Sequence, residues 1–386
     1  MSDSKTKSQV LTTALVISLM LHAAALAADV MESFNGEGDF TDVSGRVEGL
    51  DEPDWTIEFD DPSGARELVN GGYPLSLAIS KNHYDALGMR DIEWSGGFVQ
   101  RLEIRDLNLF TFPDDFNGVS YVSHEHSILG QSKLEFAVTY SVARGRPVFV
   151  VSDGVKSVYE SQVGENIALE IVFHESLSLV EWRIDNDIDD GSPAIELGTN
   201  LFQFSESPRK IAIQSEIANS GIVNASIDHF SLSPLLPGDF NYDESFDTFD
   251  LAILANDLGS SEPRRDLNKD SVVDSKDRDH WVHDIAKTYY GDANLDGEFN
   301  TADLVSIFNA AQYEDDIVGN STWETGDWNL DGDFTTADLV LAFQDGGYEK
   351  GPVAVVPEPA FSLLPLLLLL WRCRVRQAGV LHRTEW

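Results

Sequence analysis

Cysteine is almost missing from this chain. Its 386 residues include one, Cys373, and a lone thiol excludes an intrachain disulfide, so rigidity must come from packing or from bound ions. Basic residues are scarce too: 26 Lys and Arg face 66 Asp and Glu, for a formal net charge of -40. That imbalance excludes nucleic acid as a partner, because a phosphate backbone would be repelled, and makes cations the natural counterpart. Long apolar runs are confined to Leu11–Leu21 and Ala360–Trp371. Helical periodicity is nearly absent between Val30 and Ser233, which argues against a helical or alternating α/β domain there. The length allows two or three domains with a full core.

What that stretch does contain is alternation. Leu134, Phe136, Val138, Tyr140 and Val142 alternate with polar or small residues, as do Ile167, Leu169, Ile171 and Phe173, then Val180, Trp182 and Ile184. Period two predicts strands with one buried face each. Ile211, Ile213 and Ile217 continue the series, and Ala225, Ile227, Phe230 and Leu232 end it with a change of phase that predicts a bulge. Asp189-Asp190-Gly191-Ser192 reads as a turn. Many short antiparallel strands without helices predict a mainly β domain over 29–235, a two-sheet sandwich of the jelly-roll kind.

Residues 238–350 follow a different rule. Asp292-Ala-Asn-Leu-Asp-Gly-Glu-Phe-Asn-Thr-Ala-Asp303 sets oxygen ligands at loop positions 1, 3, 5, 9 and 12, with glycine at 6, where a calcium shell needs them. The spacing recurs as Asp327, Asn329, Asp331, Thr335, Asp338, and upstream as Asp239, Asn241, Asp243, Asp247, Asp250 and Asp266, Asn268, Asp270, Asp274, Asp277. Position 7 would offer its backbone carbonyl, from Ser245, Val272, Glu298 and Asp333; Asn300 holds position 9 of the third loop. Position 8 is always hydrophobic: Phe246, Val273, Phe299 and Phe334. Contacts at that position are expected to join the loops in pairs, and each loop should lead into a short apolar helix. Glu244 and Ser271 replace glycine at position 6 and should cost roughly 1 kcal/mol each in the left-handed region. All four loops are expected to bind calcium and to be ordered by it.

These loop–helix units resemble the dockerin type I repeat, an EF-hand-like variant ending in aspartate. That resemblance implies Ca2+ as cofactor and a cohesin-like protein as partner. Positions 10 and 11, where dockerins choose partners, are Thr248-Phe249, Ser275-Lys276, Thr301-Ala302 and Thr336-Ala337. The β region is similar to concanavalin A-like or laminin-G-like sandwiches in its opening strand, Glu32-Ser33-Phe34, and its closing strand, Ala225 to Leu232. That implies a glycan ligand or a structural, adhesive role.

The two ends read as export signals. Lys5 and Lys7, the apolar run and Ala25-Leu26-Ala27 form a signal peptide over 1–28. At the other end, a linker from Gly351 leads to Pro357-Glu358-Pro359, the apolar run, and Arg372, Arg374 and Arg376. This order resembles the PEP-CTERM sorting signal, which implies an exosortase as processing enzyme and a C-terminal membrane segment over 351–386. Twelve apolar residues reach only about 18 Å, short of a bilayer core of about 30 Å.

No catalytic constellation emerges. Glu181 to Asp185 and Glu58 to Asp61 lack the third carboxylate of a Glu-x-Asp-x-x-Glu glycosidase strand and are expected to be exposed sheet acids. His124-Glu125-His126 is expected to be an exposed turn, since two histidines alone are no metal site. The chain therefore reads as a secreted or cell-surface calcium-binding protein, carbohydrate-binding or scaffolding through its sandwich. The alternatives are a polysaccharide-degrading O-glycosyl hydrolase and a purely structural surface protein.

Overall fold

The computed structural model describes strands at 30–32, 56–59, 73–75 and 83–92, then residues 96–111, 119–128, 133–204, 209–218 and 221–353. The expected signal peptide, the Pro-Glu-Pro motif and the apolar run to Trp371 lie outside the described residues. Among the described residues no helix is long and apolar enough to cross a membrane. The chain forms two compact units, Met1–Ser245 and Phe246–Trp386.

Among the described residues the first unit holds fourteen strands: β1 (Val30–Glu32), β2 (Thr56–Phe59), β3 (Tyr73–Leu75), β4 (His83–Ile92), β5 (Phe98–Thr111), β6 (Val119–Ile128), β7 (Lys133–Ser141), β8 (Arg146–Ser152), β9 (Lys156–Tyr159), β10 (Ile167–His174), β11 (Leu179–Asp185), β12 (Ile195–Leu201), β13 (Arg209–Ala218) and β14 (Gly221–Pro234). One sheet runs β1-β14-β5-β10-β11-β12, with β3 also on β14; the other runs β2-β4-β13-β6-β7-β8-β9. The pairings are antiparallel, as β10 shows against both β5 and β11. The result is the two-sheet sandwich that the alternating pattern predicts.

Its core is built from the alternating residues themselves. Phe136, Val138, Leu169, Ile171, Trp182, Ile184, Ile211, Ile213, Ile227 and Phe230 are all fully buried in one cluster. The change of phase near Ala225 is real: the β14–β5 register slips between Asn224 and Ser226 and again between Ile227 and His229. Opening and closing strands pair, Val30 with Leu232 and Glu32 with Phe230.

The second unit is made of helices that each start at loop position 10: α1 (Thr248–Asp257), α2 (Ser275–His280), α3 (Thr301–Ala310) and α4 (Thr336–Asp345). A wider turn, Trp281–Ile285, continues α2. Every helix is capped in the same way. The position 9 side chain, Asp247, Asp274, Asn300 or Thr335, accepts an N–H of the first turn, and the position 12 aspartate accepts the N–H of position 9. This reciprocal box fixes where each helix begins.

The pairing of loops differs from the expectation. Position 8 residues do not bond to one another in the described ladder of contacts. The Val273 carbonyl instead accepts Gly259 N–H and the Val273 N–H donates to Ser260, both in the segment after α1. The Phe334 carbonyl accepts Glu314 N–H after α3, and the Phe299 carbonyl accepts Glu349 N–H after α4. The third and fourth repeats thus exchange their trailing segments. Tyr313 packs on Phe334 at 5.1 Å and Tyr348 on Phe299 at 5.1 Å, while Tyr313 reaches Thr336 and Tyr348 reaches Thr301 by hydroxyl contacts of 2.8 and 3.1 Å. With helices of only about ten residues, too short to be stable alone, such cross-packing supplies the core.

Candidate metal centres

The four loops have one backbone. Positions 4 and 6 both have positive φ throughout: Tyr242 and Glu244 (66° and 67°), Lys269 and Ser271 (63° and 74°), Leu295 and Gly297 (53° and 90°), Leu330 and Gly332 (63° and 94°). The sequence pointed to position 6; position 4, occupied by non-glycine residues in every copy, carries no such signal. None of these eight residues is β-branched, the side-chain type that resists this left-handed region most.

That backbone turns its amides onto the acids. Asp239 accepts N–H groups from Tyr242, Asp243 and Glu244; Asp266 from Asp270 and Ser271; Asp292 from Asp296 and Gly297; Asp327 from Asp331 and Gly332. Position 12 is held as firmly. Asp277 accepts from Leu267, Asn268 and Asp274, Asp303 from Ala293 and Asn300, and Asp338 from Trp328, Asn329 and Thr335. Asp250 accepts from Asp247. The position 12 acids are all buried. The boundary between the two units falls inside the first loop, so Asp239 to Ser245 belong to the first unit and Asp247 and Asp250 to the second.

At three of the first-position acids the surroundings disfavour the charged form. Burial pushes the Asp239 and Asp327 carboxyls up to about 6 and that of Asp292 upward, against the opposing pull of their backbone amides. Like-charged neighbours add to the rise: Asp243 at Asp239, Asp303 at Asp292, Asp338 and Asp331 at Asp327. Hard oxygen donors, short of positive charge and preset by their backbone, suit calcium chemistry. Among the described residues, however, no three Asp, Glu, His or Cys side chains gather closely enough to form a metal cluster. The remaining candidate donors, Asn241, Asn268, Asn294, Asn329, Asn300, Thr335 and the carbonyls of Ser245, Val272, Glu298 and Asp333, belong to types outside that set.

The sandwich corrects two expectations. His124 and His126 lie on β6, fully buried, rather than on an exposed turn. Their ring Nδ1 atoms share the Gln100 amide from the opposite sheet, at 3.1 and 3.0 Å, and Phe98 stacks on His126 at 4.1 Å. Burial pushes the His124 imidazole down to about 3. Alternation on one strand could have placed both rings inward; their polarity argued otherwise, and Gln100 is what reconciles it.

Likewise Glu181 and Asp185 are buried ion-pair partners, not exposed acids. Arg183 pairs with Glu181 at 3.0 Å and Glu170 at 3.1 Å, and Arg101 with Asp185 at 3.3 Å. Tyr242 closes over this face, donating to Glu181 at 2.9 Å with Arg183 4.7 Å from its ring, while Arg183 donates to the Asn241 carbonyl at 3.3 Å. Nothing in the residue pattern marks loop position 4 as this cover. From residue 96 on, no aromatic residue of the sandwich whose burial is described is exposed.

Fold and loops together define a class: an antiparallel two-sheet sandwich followed by capped loop–helix repeats rich in oxygen ligands. No family model matches the sequence, and no curated protein matches it. Solved structures similar to the chain include peanut lectin with a nine-residue peptide, at 11% identity over 51% of this chain and 96% of that one, with a TM-score of 0.36. The carbohydrate recognition domain of Emp46p in its potassium-bound form is 14% identical over 47% and 89%, with a TM-score of 0.32. The legume lectin-like domain from Entamoeba histolytica is 9% identical over 47% and 90%, with a TM-score of 0.32.

Proposed function

We propose that this is an exported calcium-binding surface protein whose dockerin-like repeats are ordered by calcium and whose sandwich is the carbohydrate-binding or scaffolding part. The observation that carries the calcium reading is the shared loop backbone, with left-handed residues at positions 4 and 6 in every copy and the acids of positions 1 and 12 held on backbone amides. Chance does not repeat that arrangement at the positions a calcium loop requires. In this reading the ion supplies the positive charge that lets the buried acids stay ionised, and the chain's own residues fix the ligand directions. Calcium titration of the chelated full chain, followed by circular dichroism, tests it. Helical signal should rise with calcium and fall with chelator; an unchanged spectrum overturns the reading.

The glycan arm comes from the resemblance of the sandwich, and its test is a glycan array. Hits that survive in a sandwich-only comparison support carbohydrate binding; their absence leaves scaffolding. Export and C-terminal sorting rest on the order of motifs at the two ends, and sequencing both termini of the mature protein tests them.

A further inference from the structure

The second loop is chemically unlike the other three. Loops one, three and four contain no lysine or arginine, whereas loop two contains Lys269 and Lys276. Counting charged side chains over the twelve positions, loop one has five acids and a charge of -5. Loops three and four have four acids and -4 each, and loop two has four acids and two lysines, hence -2.

One of those lysines has entered the ligand set. In loops one, three and four, Oδ2 of the position 5 aspartate accepts the side-chain amide of the position 3 asparagine, at 2.8, 2.9 and 2.8 Å. In loop two, Oδ2 of Asp270 accepts the Lys276 ammonium at 2.6 Å, and the same ammonium lies 3.5 Å from Asp274, the position 9 acid. A single positive charge therefore sits between two carboxylates that a divalent cation would need. The first acid of this loop, Asp266, is only half-buried, while Asp239, Asp292 and Asp327 are buried.

We propose, on the basis of the calcium reading above, that Lys276 makes loop two a self-neutralised copy, so that the chain binds three calcium ions and not four. A divalent ion entering loop two would have to displace the ammonium and then bear its repulsion, along with that of Lys269. Ligand charge is a principal determinant of calcium-loop affinity, and a loss of two negative charges should weaken the site by about 100-fold or more. The loop keeps the backbone and the helix cap of the other three, so the difference lies in its charge. Position 11 is thus the residue that decides occupancy here.

Native mass spectrometry of the full chain after chelation and stepwise addition of calcium tests this. Wild type should take up three ions at micromolar calcium, Lys276→Met a fourth, and Lys276→Arg three again, with circular dichroism checking that each variant is folded. Four ions on the wild type, or three on both wild type and Lys276→Met, overturn the proposal while leaving the other loops as calcium sites. No bound ion on any variant overturns the calcium reading itself.

Discussion

The two halves of this molecule are stabilised by opposite means. The sandwich buries an unbroken set of large apolar side chains and pairs its buried charges internally, Glu170 and Glu181 with Arg183, while Gln100 engages one ring nitrogen each of His124 and His126. The repeats bury carboxylates instead, and in three of the four loops they hold the first acid above its ordinary range by burial. A fold that satisfies its buried charges from within needs nothing from solution, whereas one that gathers like charges needs a counterion.

The largest effect should come from making the sandwich resemble the repeats. Arg183→Met removes the guanidinium shared by Glu170 and Glu181, and breaking a buried pair in this way should cost about 3 kcal/mol in urea unfolding of the sandwich. The calcium midpoint of loops three and four should not move. A loss below about 0.5 kcal/mol would mean that Arg101 and Tyr242 alone satisfy the two glutamates.

A second effect is acid sensitivity confined to the sandwich. The His124 imidazole has a folded value pushed down to about 3 by burial, so the unfolded chain takes up its proton first. Stability from this group is complete above about pH 6.5 and is lost as pH falls from there toward 3, at about 1.4 kcal/mol per pH unit. His124→Leu should flatten that part of the unfolding profile; an unaltered slope would assign the acid limb to carboxylates.

The smallest effect separates the loops. Gly297 has φ of 90° with open space where a Cβ would sit, so Gly297→Ala should cost only backbone strain, about 1 kcal/mol. Glu244→Gly relieves the same strain in loop one and should gain a comparable amount, visible as shifts in thermal midpoint at saturating calcium. Equal and opposite shifts support the shared loop backbone.

Much of this was legible in the sequence, though unevenly. Strand periodicity found the core because one-face burial writes itself into every second residue, as at Leu134, Phe136 and Val138. The slip near Ala225 showed as a change of phase. The shared loop backbone was legible because one pattern of Asp and Asn recurs four times at fixed spacing. Hidden were features that depend on a distant partner: Gln100 reaching across to His124, Arg183 pairing the acids on the outer face of β10 and β11, and Tyr242 covering them. The exchanged segments after α3 and α4 were hidden too, although Tyr313-Glu314 and Tyr348-Glu349 repeat at the same interval as their loops. Identical dipeptides at that spacing are the signal that could have exposed them.

Hydrogen–deuterium exchange of the full chain with calcium and with chelator tests the contrast most directly. The account predicts that calcium slows exchange across α1, α3 and α4 and their loops by at least about 100-fold, while β5, β10 and β11 exchange alike in both conditions. Equal protection of the repeats with and without calcium would contradict it.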